Sequence, residues 1–174
     1  MVKLYIMKLN LPLLNLSNSE MVILTFVVTG LWDVVLRIMN ENFDDLPDII
    51  KQVLPFIKYL DPYFKKHTLL AAALIAAFVG ATTQPIIYSI TPFPKNLNNV
   101  NYVLIFLINS FIISALYGFI MKATKLFPIL EETYYKKLEE EGGVIRSMYH
   151  DGISGLIVQF TIFIILILGK MIIK

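Results

Sequence analysis

No cysteine occurs among the 174 residues, which excludes disulfides, thiolate metal sites and a cysteine nucleophile and leaves the redox compartment unread. Charge is scarce: Asp, Glu, Lys and Arg make up 16% of the chain, against about a quarter in an ordinary soluble domain. The formal net charge of +2 is too small and too scattered for a nucleic-acid footprint, so no nucleic-acid partner is expected. There is no Gly-rich phosphate loop, no Ser-His-Asp arrangement and no pair of carboxylates at a common depth, so the chain reads as non-catalytic. No cofactor and no metal site are expected. What remains is apolar: 57% of residues are hydrophobic and the mean hydropathy is +0.70. A soluble globule of this size could not cover so much apolar surface, and a disordered chain would not contain it.

A hydrocarbon core about 30 Å thick needs roughly 20 apolar residues at 1.5 Å rise each. No Asp, Glu, Lys or Arg lies between Lys66 and Lys95, or between Lys95 and Lys122. Spans are therefore predicted over about 68–88 and 103–123. A third, over about 152–172, is dense in Ile and Leu and closed by Lys170 and Lys174, whose side chains can snorkel. A further segment, 21–39, is introduced by Ser17-Asn18-Ser19-Glu20, which fits a capping box, and carries Asp33 and Arg37 in its last third. It reads as a span with a polar end, the alternative being an amphipathic surface helix. The expected fold is all-α, an integral membrane four-helix bundle forming a single domain.

Four spans put both termini on one side. That side carries five basic residues and the two long connections carry nine, so the positive-inside rule assigns the connections to the cytoplasm. The first sixteen residues read as an interfacial arm anchored by Lys3 and Lys8, or as a frayed terminus. An amphipathic interfacial helix is predicted over about 45–60, with Pro47 in its first turn and Asp61-Pro62 stopping it. A solvated helix is predicted over about 128–141, ended by Gly142-Gly143.

In lipid, helices associate through small residues and hydrogen bonds. Ala72, Ala76 and Gly80 form one row at i,i+4 spacing, and Ala73, Ala77 and Ala81 the adjacent row. Ser110, Ser114 and Gly118 offer the same spacing in the next span, and Gly155 begins such a face in the last. These are the expected helix-packing positions, whether within one chain or between copies. Candidates for an ion or proton path are Asp33, Arg37, Asn109 and Gln159. Asp33 and Arg37, at i,i+4, are expected to pair, and Asp33 to reach Gln159 at similar depth. His67 and His150 fall at the span boundaries, where a histidine is more often interfacial than a ligand.

Two functions fit this pattern. One is an oligomerising or scaffolding component of a membrane or membrane-containing particle, whose partners are the bilayer and either further copies or another membrane protein. The other is an oligomeric channel or small transporter with a polar path from the first, third and fourth spans. Richness in Ile, Asn and Lys is typical of AT-rich genomes, large DNA viruses with internal membranes among them; this is an association of composition only.

Overall fold

The computed structural model describes residue 13 and residues 15–95, 97–124 and 136–172. The predicted arm (1–16) lies largely outside them, as do residues 128–135 of the predicted solvated helix. Among the described residues the structure is helical with no strand. The elements are α1 (Asn18–Glu41), α2 (Asp48–Val53), α3 (Asp61–Lys66), α4 (Leu69–Ile90), α5 (Val100–Ala123) and α6 (Lys136–Ile172), with 3-10 turns at Phe43–Asp45 and Pro55–Tyr59.

Four of these, α1, α4, α5 and α6, are long and apolar enough to cross a membrane. Each of the first three starts on a side-chain cap. Ser17 and Glu20 close the predicted capping box, with the Ser17 N–H donating to Glu20 Oε2 at 2.7 Å. Thr68 accepts from the Ala71 N–H and Asn99 from the Tyr102 N–H. Pro85 sits inside α4 rather than ending it. Its ring forfeits the bond to the carbonyl of Ala81, yet the helix continues to Ile90, where the C-cap Thr91 accepts the Asn109 amide at 2.6 Å.

Two predicted boundaries change. Gly142-Gly143 does not end a helix: α6 runs through it as one rod of 37 residues. At 1.5 Å per residue that is about 55 Å, far longer than a ~30 Å core, so its first turns project past the bundle. Contacts just beyond the glycines hold the helix, Arg146 donating to Tyr59 Oη at 3.0 Å and Tyr149 to the Val53 carbonyl at 3.2 Å. Glycine is a weak breaker where tertiary contacts fix its neighbours. Likewise 45–60 is not one helix. Pro55 pushes Leu54 out of helical geometry (φ −121°, ψ 54°), ending α2 after one turn and a half. Asp61-Pro62, expected as a stop, instead starts α3, with proline in the first turn where its missing N–H costs nothing.

The contacts run around the bundle in the order α1, α4, α5, α6 and back to α1, closest within the pairs α1–α4 and α5–α6. Small residues set both close approaches. A Cβ on Gly30 would lie 3.2 Å from the Ala73 carbonyl oxygen and 3.4 Å from Ala77 Cβ, and one on Gly80 would overlap the Thr29 side chain. Across the second pair, a Cβ on Gly118 would overlap Asp151, one on Gly152 would meet Phe111, and one on Gly155 would meet Ser114. Ile23, Val27, Leu31, Phe78, Leu104, Ile108, Ile164 and Leu168 point outward, as lipid-facing side chains do.

Gly80→Leu is therefore expected to destabilise the bundle by about 1–3 kcal/mol through overpacking against Thr29. Thermal unfolding in detergent reads this, with Phe78→Leu, at a position 57% exposed, as a control that shifts little. Equal melting of the two variants would show that α1 and α4 do not meet through Gly80.

Two apolar clusters cap the bundle. At the end bearing the 42–68 connection (the connection end), Leu36, Leu54, Phe56, Ile57, Tyr59, Leu60, Tyr63, Phe64 and Ala72 gather. At the end bearing the 91–99 loop (the loop end), Met21, Val28, Ile87, Phe106, Phe163 and Leu166 do so. Phe93 reaches in from the loop, its ring 4.7 Å from that of Phe163 and 5.2 Å from that of Phe106. Polar residues fill the space between.

Candidate functional site

The buried polar side chains of the four long helices include Thr25, Asp33, Thr83, Gln84, Ser110, Ser114, Ser147, His150 and Gln159. Helix rise sorts those near the axis into two layers. Thr25 and Gln159 belong to the layer nearer the loop end, where Gln84 joins them. Asp33 and Asp151 lie eight residues along α1 and α6 respectively, about 12 Å towards the connection end. His150 and Ser154 complete that second layer.

Two cavities occupy the layers. The first, about 90 Å³, is lined by residues of all four long helices, among them Thr25, Thr29, Thr83, Gln84, Ser114, Asp151, Ser154 and Gln159. The second, about 120 Å³, is lined by Thr29, Trp32, Asp33, Leu60, Tyr63, Ala76, His150, Asp151 and Ser154 among others. Thr29, Val79, Asp151 and Ser154 border both, so the two form one polar seam.

The seam is rich in acceptors because its hydroxyls spend their protons on their own helices. Thr25 donates to the Met21 carbonyl at 2.8 Å, Thr29 to the Thr25 carbonyl at 2.8 Å and Thr83 to the Val79 carbonyl at 2.7 Å. Such back-bonding satisfies the donor and leaves oxygen lone pairs facing inward. Carboxylates add to them. Asp33 is 7% exposed and its Oδ2 has no hydrogen-bond partner, and the same holds for the indole Nε1 of the neighbouring Trp32. Asp151 Oδ1 lies 3.2 Å from His150 Nδ1, and His150 Nε2 lies 3.1 Å from Ser154 Oγ. Phe56 covers the histidine, ring centroids 4.0 Å apart at 67°. Tyr63 closes the same end, donating to the Ala72 carbonyl at 3.2 Å. Burial first, and the Asp33 carboxylate second, push its hydroxyl above the usual tyrosine range, so it stays protonated.

The path candidates read from sequence fall in different places. Asp33 and Gln159 line the seam. Asn109 does not: its amide is held by Thr91 near the loop end. Arg37 lies at the connection end, where it pairs with Glu41 at 3.0 Å and donates to the His67 carbonyl at 3.3 Å. Arg37 thus makes its contact pair with Glu41, a turn further along, and attracts Asp33 without touching it. Nor does Asp33 meet Gln159. The Gln159 amide donates to Gln84 Oε1 at 2.7 Å. Nor are carboxylates absent at a common depth, since Asp33 and Asp151 border one cavity.

Of the packing positions, Ala72, Ala77, Ser110 and Ser114 are buried, and Ala73, Ala76, Gly80 and Ala81 are half-buried. Gly118 and Gly155 lie against the Asp151 and Ser114 side chains. Sequence reasoning missed Gln84, Thr83, Thr29 and Ser154. Thr82-Thr83-Gln84 is the one strongly polar stretch of its span, and that was the signal. Among the described residues, no three His, Cys, Asp or Glu side chains are placed to hold a metal ion.

Length and composition of the four long helices make this a small multi-pass membrane protein with a helical-bundle fold. No family model, curated protein or solved structure matches the chain.

Proposed function

We propose that the protein moves protons across the membrane through the seam between its helix pairs, with Asp33, His150 and Asp151 as the proton-carrying groups. The observation that carries this reading is the Asp33 carboxylate, buried at the heart of a membrane bundle with one oxygen unpartnered, in a cavity shared with a second carboxylate and a histidine. An ionisable group costs several kcal/mol in that position and is retained for function by default. Volume decides the cargo. A water takes up about 30 Å³ of liquid, so cavities of about 90 and 120 Å³ suit a few waters. Sites for larger organic molecules run to roughly 300 Å³ and above. Acceptor-rich walls select against anions, and titratable walls pass a proton by protonation and release.

The apolar clusters at both ends describe an occluded state, so transfer requires one of them to part. Such hydrophobic constrictions gate by excluding water. The positive-inside count supports a cytoplasmic connection end, the end that carries Phe56 and Tyr63.

The scaffolding reading loses ground on this geometry. It rests on small-residue faces that could meet between copies, and Gly30, Gly80, Gly118 and Gly155 all meet partners within the chain. Self-association remains compatible with proton transfer but is not needed to assemble the seam.

The test is reconstitution. Phosphatidylcholine vesicles containing the protein, given an acid-outside gradient and a trapped pH dye, are expected to dissipate it faster than empty vesicles. Equal decay with and without protein, at verified insertion, would end the reading.

A further inference from the structure

The layer of the seam nearer the loop end is built on two glutamines. Gln84 and Gln159 are each 1% exposed and lie on α4 and α6, the diagonal members of the bundle. Their hydrogen bond of 2.7 Å therefore crosses the axis between the helix pairs and not the crevice between neighbouring helices. Nε2 of Gln84, with the Tyr88 hydroxyl beside it, and Oε1 of Gln159 are buried and make no well-formed hydrogen bond, and both residues border the 90 Å³ cavity. A buried donor and a buried acceptor on two bonded amides are the complement of one water molecule, which accepts from the first and donates to the second.

We infer that the Gln84–Gln159 bridge is the specificity-determining element of the path: it binds a single water, hands protons across it, and bars hydrated alkali cations. This deepens and rests on the proton-transfer reading above. A directly bonded amide pair on the axis leaves no room for an ion with its shell of waters. A neutral amide also offers no full charge to replace that shell. A proton needs neither room nor a replaced shell, because it moves along hydrogen bonds through the bound water. Threonine oxygens of the same layer, Thr25 and Thr83, have given their protons to backbone carbonyls and so offer only acceptors to the water chain.

Four proteins, the parent, Gln84→Ala, Gln159→Ala and Gln159→Met, are reconstituted in phosphatidylcholine vesicles and assayed for proton flux with a pH dye and for potassium flux by rubidium uptake. The parent is expected to pass protons and exclude rubidium. Either alanine variant is expected to raise rubidium uptake on the order of tenfold over the parent, which corresponds to about 1.4 kcal/mol off the barrier. Gln159→Met fills the same volume without an amide, so it is expected to cut proton flux and admit no rubidium; it serves as the readout if the alanine variants do not fold. A parent that passes protons and rubidium alike would overturn the filter. So would alanine variants that stay tight to rubidium, or a methionine variant with parental proton flux. A parent that passes no protons would overturn the underlying reading, which is a different result from any of these.

Discussion

Asp33→Asn is expected to lower proton flux on the order of a hundredfold, the scale on which a positioned proton-transfer group acts, while leaving the protein at least as stable as the parent. The two halves of this expectation come from one cause. Asp33 is buried, its Oδ2 is unpartnered, and Arg37, whose contact partner is Glu41, attracts it only from a distance. An ion in such a place is held at a cost in desolvation that its surroundings do not repay. Asparagine keeps the shape and removes the charge, so the fold loses nothing and the proton carrier is gone. A residue kept for packing would behave the opposite way, with flux unchanged and melting lowered. Flux in vesicles and thermal unfolding in detergent, measured on the same preparation, separate the two. Parental flux in Asp33→Asn would remove Asp33 from the path. Asp33→Glu, which restores the carboxyl on a longer arm, is expected to recover part of the flux.

The same residue shows how much of the site is legible in the sequence. That Asp33 is unusual follows from its place in an apolar run, and no structure is needed to see it. Its neighbourhood is what the sequence withholds. Counting depth along the last span from a start at about 152 puts Gln159 opposite Asp33. Because α6 begins well before Gly142-Gly143, the helix slides by about two turns, and His150 and Asp151 fall opposite Asp33 instead. One misplaced boundary thus moves the whole polar layer. The spans themselves are legible because about 20 consecutive apolar residues match the thickness of a bilayer and exceed what a soluble core helix needs. The α1 start is legible because Ser17 and Glu20 satisfy each other locally.

Gln84 illustrates a different limit. Its polarity is visible, but it lies four residues from the predicted end of its span at about 88, where a glutamine can meet water and needs no partner. The structure carries α4 on to Ile90 and buries Gln84 against Gln159. The small-residue rows are visible too, yet their spacing carries no information on whether partners lie within the chain or outside it. Thr29 and Gly30, which receive α4, stand in a helix whose two charges draw attention away from its packing face.

Phe56→Ala is expected to cost about 3–5 kcal/mol of stability, the range for deleting a fully buried aromatic ring, and to do so from a segment whose sequence suggests a helix lying flat on lipid. Phe56 and Ile57 are 0% exposed. Pro55 is what sends them inward. It ends α2, and the 3-10 turn that follows rotates the chain so that Phe56 covers His150 while Tyr59 meets Arg146. Asn40 fastens the turn by donating to the Ile57 carbonyl at 2.7 Å. The connection is thus a plug seated in the bundle, and its ring is the last apolar layer between His150 and the connection end. Removing the ring leaves a cavity that borders polar groups, which water can enter where a purely apolar cavity would stay dry. Thermal unfolding in detergent reads the stability loss, and Val53→Ala, at a neighbouring position 46% exposed, is expected to stay within about 0.5 kcal/mol of the parent. In vesicles, flux through Phe56→Ala is expected to rise, the reverse of Asp33→Asn, because the plug opposes water entry and the carboxylate carries the proton. A loss below about 1 kcal/mol, or flux that falls together with stability, would show that the connection rests on the bundle without closing it.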